Sequence, residues 1–130
     1  MYHLDKVRLC DIKQICESNG VLGFADLPFY SSRIFYVYGV RVGDTRGKHA
    51  HKLCEQFLIC IRGSVSVMCD DGTDRRIFKL DTPLKGLYIP KMIWTEQYYY
   101  DSSTILLAMA SHHFDESDYI RDYAKFKEAV

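Results

Sequence analysis

The chain has 130 residues, 48% of them hydrophobic and 26% charged, which excludes intrinsic disorder and fits one domain, 1–130, of the commonest size. Lys plus Arg and Asp plus Glu each number 17, a formal net charge of zero. That balance excludes a general nucleic-acid binder, which needs a basic excess to neutralise phosphates, and still allows a small anionic ligand held by a few arginines.

The five cysteines, Cys10, Cys16, Cys54, Cys60 and Cys69, form no CxxC pair and sit in apolar runs, as reduced core thiols do. No run approaches the ~18 apolar residues that cross a bilayer, because Arg62, Lys79, Lys85 and Lys91 interrupt the candidates. The start, MYHLDKVRLCDIKQI, shows no apolar block of signal-peptide type. The expectation is a cytoplasmic protein with neither a membrane nor a nucleic-acid partner.

In chain order, the first β-like run is Tyr2–Leu9, and a turn at Asn19-Gly20 feeds a second at Val21–Phe24. Ser32–Val40 is rich in aromatic and β-branched residues, as strands are. Cys54–Arg62 turns at Gly63 into Ser64–Cys69, and Asp70-Asp71-Gly72 is a hairpin signal from which Arg75–Leu80 returns. Further runs are Gly86–Ile89, Met92–Gln97 and Thr104–Met109. Only the end reads as a helix, over Glu116–Ala129, with Ser117 able to cap it and Tyr119, Ile120, Tyr123 and Phe126 recurring at helical spacing. Short strands with one closing helix predict an all-β sandwich or small barrel.

The chemistry concentrates in Gly43-Asp-Thr-Arg-Gly-Lys-His49-Ala-His51-Lys-Leu-Cys-Glu55, a G-x5-H-x-H-x3-E pattern that resembles the first signature of the cupin barrel. Residues two apart on a strand share a face, so His49 and His51 are expected to point together into the barrel, joined by Glu55 if the strand stays regular. Two imidazoles and a carboxylate on one wall suit either metal ligation or acid/base work. The second cupin signature ends in a metal-binding histidine; here, counting from Pro90, Met92 takes its glycine's place and Thr95 its histidine's. Threonine is a poor transition-metal ligand, so no metal and no cofactor is expected. A metal held by His49, His51 and Glu55 is the alternative. The plain reading of an HxH pair, a structural or surface role, is outweighed by the glycine spacing, Glu55 and Arg46.

Three longer segments narrow the resemblance: RGKHAHKLCEQFLICIRGSVSVMCDDG (46–72), LDTPLKGLYIPKMIW (80–94) and FDESDYIRDYAKFK (114–127). Together they are similar to the sugar 3,4-ketoisomerases, metal-independent cupins that act on thymidine-diphosphate (dTDP) 4-keto-6-deoxyglucose. The resemblance implies a double-stranded β-helix, or jelly-roll, with one C-terminal helix. It also implies an enediol isomerisation that moves the carbonyl from carbon 4 to carbon 3. A neutral histidine suits both proton transfers because its pKa lies near the working pH. By similarity His51 is the expected base at carbon 3 and His49 its proton-transfer partner, an order that the residues alone leave interchangeable. Tyr36 corresponds to a family tyrosine that can relay or stabilise the enediol oxygens. Arg33 and Arg46 match family arginines suited to the diphosphate. Glu55, Trp94 and Thr95 complete the expected substrate contacts. Where the family carries Trp-His-Glu, this chain has Trp94-Thr95-Glu96, which bears on the face at which carbon 4 is reprotonated.

The family also implies a homodimer with exchanged strands, and a place in the making of a 3-amino-3,6-dideoxy sugar for a surface glycan such as lipopolysaccharide. The rivals are a dTDP-sugar 3,5-epimerase, which works through a His-Asp dyad, a metal-dependent cupin enzyme, and a non-catalytic sugar-binding module.

Overall fold

A computed structural model describes residues 3–130. Its strands are β1 (Arg8–Asp11), β2 (Lys13–Glu17), β3 (Gly20–Phe24), β4 (Arg33–Val37), β5 (Thr45–His51), β6 (Gln56–Arg62), β7 (Val65–Asp70), β8 (Arg75–Leu80), β9 (Lys85–Ile89), β10 (Trp94–Tyr99), β11 (Ile105–Ala110) and β12 (Tyr119–Ile120), followed by one helix, α1 (Tyr123–Ala129). Two five-stranded antiparallel sheets, in the orders β1-β9-β6-β11-β4 and β12-β5-β10-β7-β8, face each other, and β2 with β3 forms a separate two-stranded ribbon.

The core follows from period-2 alternation. On β11, Leu106, Ala108 and Ala110 are buried while Ile105, Leu107 and Met109 are only partly so. Leu58 and Cys60 of β6, Leu87 of β9 and Leu106 of β11 meet Val65, Val67 and Cys69 of β7 and Leu80 of β8 in one apolar cluster. Strand β7 is buried along its whole length, because its other face is covered as well. There Met68 packs with Trp94, Ile120 and Phe126 of the C-terminal segment, and Asp70 accepts hydrogen bonds from Arg75 and Tyr123.

Three expected elements need correction, and one strand was not among them. Within the first predicted run, Tyr2 lies outside the described residues, Leu4–Lys6 is a 3-10 turn, and the strand begins at Arg8 and extends to Asp11. Leu4 is buried and its N–H donates to the Asp71 carboxylate, so the hairpin that Asp70-Asp71-Gly72 makes pins the turn. Strand β2 carries no apolar alternation and was not signalled; all its residues are exposed and, among the described residues, it pairs with β3 alone. The run at Met92 begins as strand only at Trp94, since Met92 adopts a left-handed φ of 59° at the place where the cupin signature has glycine. The predicted C-terminal helix is divided: Glu116–Asp118 is a 3-10 turn, Tyr119–Ile120 pairs with β5, and the helix proper is Tyr123–Ala129. Asp122 caps it, accepting from the N–H groups of Ala124 and Lys125, and Ser117 instead donates its N–H to Asp115.

Candidate active site

Strand β5 places the two histidines. Its pairing with β10 sets Thr95 opposite His49, then shifts so that Gln97 faces Arg46. The extra residue is accommodated at Gly47, whose φ of 71° is a left-handed conformation that costs a glycine nothing. Beyond this bulge the alternation is regular. Ala50 faces outward beneath Met68 and Trp94, so His49 and His51 face inward together, with ring centroids 4.9 Å apart. Thr95, buried opposite His49, donates its hydroxyl to the Gly47 carbonyl at 3.4 Å and so closes the bulge.

Residues remote in sequence complete the site. The His51 Nδ1–H donates to Asp118 Oδ2 at 2.9 Å, and the other oxygen of Asp118 accepts from the Leu53 N–H at 2.7 Å. With its proton on Nδ1, His51 presents the Nε2 lone pair to the Gln56 amide, which donates to it at 3.3 Å. Tyr119 leans on both imidazoles, 4.9 Å from His49 and 4.4 Å from His51. Arg121 stacks over Tyr119 at 4.2 Å and forks onto Glu116 at 2.6 and 3.0 Å. Of these groups His49, Gln56, Tyr119 and Arg121, together with Arg46 and Gln97, border a cleft of about 340 Å³.

Burial, then the neighbouring His51 and Arg121, push the pKa of His49 down to about 4. Burial also lowers that of His51, against the opposing pull of Asp118. Both rings are therefore neutral near pH 7; Glu116 acts on His49 only through space, whereas His51 has a carboxylate hydrogen-bonded to it that can support an imidazolium.

The remaining sequence-predicted residues divide. Arg46 lines the cleft. Arg33 faces inward beside Cys54, with Nη2 3.9 Å from the sulfur, stacked on Phe35 and Phe114. Tyr36 reaches the rim of the cleft, but the alternation of β4 turns it to the side opposite Arg33 and Phe35, where it is 64% exposed and stacked on Tyr38. Glu55 does not join the histidines: β5 ends at His51, the bend after it resets the alternation, and the carboxylate accepts from the Tyr88 hydroxyl in a different groove, alongside Lys6 and His112. Trp94 faces away from the barrel interior, its N–H on Glu96 and its ring against Tyr123 and Phe126. Asp118, Tyr119, Arg121, Gln56 and Gln97 were not singled out from sequence. The segment Asp115–Arg121 carried part of the family resemblance, but its helical reading hid the strand that delivers Asp118 to His51.

A family model described as "FdtA: WxcM-like, C-terminal" matches residues 5–130. A curated relative, TDP-4-oxo-6-deoxy-alpha-D-glucose-3,4-oxoisomerase from Aneurinibacillus thermoaerophilus, is 35% identical over 127 residues, 95% of this chain and 91% of its own. Among solved structures, the sugar 3,4-ketoisomerase QdtA of Thermoanaerobacterium thermosaccharolyticum, in complex with TDP, aligns with a TM-score of 0.92 at 34% identity, covering 98% of this chain and 96% of that one. WlaRA of Campylobacter jejuni, a TDP-fucose-3,4-ketoisomerase, aligns with a TM-score of 0.89 at 35% identity over 95% and 94% of the two chains. NovW of Streptomyces spheroides, a 4-keto-6-deoxy sugar epimerase, shares the fold at 16% identity and a TM-score of 0.76, covering 87% of this chain and 67% of its own. On its two facing sheets, its inward HxH pair and these relatives, the chain belongs to the sugar 3,4-ketoisomerase family and is an isomerase on a cupin barrel.

Proposed function

We propose that this isomerase converts thymidine-diphosphate 4-keto-6-deoxyglucose to a 3-keto-6-deoxyhexose through an enediol, without metal. The observation that carries the reading is the orientation of His51: Nδ1–H on Asp118, and an Nε2 lone pair met by the Gln56 amide alone among the described side chains, beside a second, neutral histidine. In this mechanism Nε2 of His51 removes the carbon 3 proton and the carbon 4 carbonyl oxygen gains a proton, giving the enediol. The carbon 3 hydroxyl then loses its proton as carbon 4 receives one, with His49 the partner on that side. Asp118 stabilises the imidazolium formed in the first half, a charge that burial would otherwise oppose. Arg46, with Arg33 and Arg121 nearby, supplies positive charge for the diphosphate and the enediolate oxygens; Tyr36 stands at the rim as a further contact, and Thr95 acts from beneath, closing the bulge before His49.

Proton NMR of the purified protein with this substrate in heavy water, chelator present, tests the reading. A 3-keto product with solvent deuterium at carbon 4 is expected, and its coupling constants give the carbon 4 configuration. Deuterium at carbons 3 and 5 with the keto group unmoved would make the chain an epimerase, a reaction for which the His51–Asp118 pair is also fitted.

The assembly we infer is a homodimer with exchanged strands. The β2–β3 ribbon supports it, because an isolated pair of strands is marginal in water and this one leaves Ile15, Val21, Leu22 and Phe24 exposed, as β4 leaves Ile34 and Tyr36. A monomer in light scattering would refute it. A cytoplasmic location agrees with five cysteines that are all free thiols and with the finding that no helix among the described residues is long and apolar enough to cross a membrane. There the 3-keto product would feed an aminotransferase, in making an aminated deoxysugar for a surface glycan such as lipopolysaccharide.

A further inference from the structure

The metal set that spacing suggested, His49, His51 and Glu55, is not assembled, because Glu55 turns to another groove. A different donor set is. An imidazole nitrogen of His51, the Cys54 sulfur and an Asp118 oxygen all lie within 4.8 Å of one another. His51 and Cys54 are buried, at 5% and 1% exposure, and the Asp118 side chain is 10% exposed. Nitrogen, sulfur and carboxylate oxygen around one point are the ligands a zinc-type cation selects. Metal–donor bonds of zinc length place such donors about 3.5 Å apart, so an entering cation closes the widest separation by roughly an ångström at most, within reach of small rotations of Cys54 and Asp118.

We infer that His51, Cys54 and Asp118 form an inhibitory site for a soft divalent cation of the zinc class. Binding transfers the Cys54 thiol proton to solvent and leaves a thiolate on the metal. A cation on either ring nitrogen removes the base: on Nε2 it occupies the lone pair, and on Nδ1 it drives the ring proton to Nε2. Arg33 opposes the cation, with Nη2 3.9 Å from the sulfur. Among the described residues its buried Nε has no hydrogen-bond partner and no carboxylate anchors the guanidinium, so it is held there mainly by stacking and can withdraw. The binding claim stands on the donor geometry alone; the inhibition rests on reading His51 as the base.

The test is a titration of the metal-free protein with Co2+, a coloured stand-in for zinc, followed by thiolate-to-cobalt charge transfer in the near ultraviolet, in the unaltered chain and in Cys54→Ser and Cys54→Ala. One equivalent should give the band, and both variants, shown folded by circular dichroism, should lack it while Cys16→Ser keeps it. Zn2+ should inhibit isomerisation by the unaltered chain, and the inhibition should weaken about tenfold or more in Cys54→Ser. A band that survives in both Cys54 variants, or no band up to roughly millimolar Co2+, overturns the site. A Cys54-dependent band with turnover unaffected keeps the site and overturns His51 as the base.

Discussion

Asp118 reaches His51 across 67 positions of sequence and holds its Nδ1–H at 2.9 Å. The carboxylate does two things at once: it fixes the tautomer that exposes Nε2, and through the Leu53 N–H it anchors the chain just past the histidine strand. Asp118→Asn keeps an oxygen for Leu53 but loses the charge that steadies an imidazolium. We expect kcat to fall about a hundredfold or more with KM little changed. Because Asp118 raises the pKa of His51, its neutralisation should also shift the acid limb of the kcat–pH profile to lower pH, which a purely structural role would not do. An unshifted limb would assign Asp118 to packing alone.

The lowered pKa of His49 makes stability depend on pH in a defined direction. The folded ring stays neutral down to about 4, whereas the ring in the unfolded chain takes a proton below about 6.5. Protons then favour the unfolded state, so this contribution is intact above that upper value, is lost as pH falls from there to about 4, and changes no further below it. Calorimetric Tm measured across this window should fall less steeply in His49→Gln than in the unaltered protein. Equal slopes would place the titration elsewhere.

Phe126 is fully buried at the base of α1, against Trp94 and Tyr123. Phe126→Ala should cost about 3–5 kcal/mol in urea denaturation. Since α1 closes the segment that carries Asp118 and Tyr119, turnover should drop further than substrate binding, and a loss of less than about 1 kcal/mol would show the helix to be dispensable.

Gly63 combines a φ of 80° with close contact: a Cβ there would lie 2.7 Å from the Thr104 Cα and 2.4 Å from its hydroxyl. That hydroxyl accepts the Ser64 N–H and donates to the Ser64 carbonyl, so it has no free direction in which to move. Gly63→Ala should destabilise by about 2 kcal/mol or more through backbone strain and overpacking, read from the urea midpoint at unchanged slope.

Much of the architecture was legible in the sequence because it follows local rules. Apolar and β-branched runs located β4 and β6 to β11, the Asp70-Asp71-Gly72 hairpin joined β7 to β8, and the two-residue spacing of His49 and His51 put both rings on one face. Strand β2 was missed because it is exposed throughout and has no apolar period to show. The composition of the site was less legible. Glu55 continues the motif in sequence but not in space, since the bend after His51 ends the alternation on which the expectation rested. Trp94 and Tyr36 went to outward faces for the converse reason: strand parity is absolute once the register is set.

The sequence by itself determined the barrel, the paired histidines and the family, because each is written in residue types at short, fixed spacings. Only the tertiary structure decided which histidine carries the carboxylate, which aromatic ring covers the pair and which polar groups converge on them. Those relations depend on where a strand of two residues, Tyr119–Ile120, docks on β5, and no local period encodes a contact between segments so far apart along the chain.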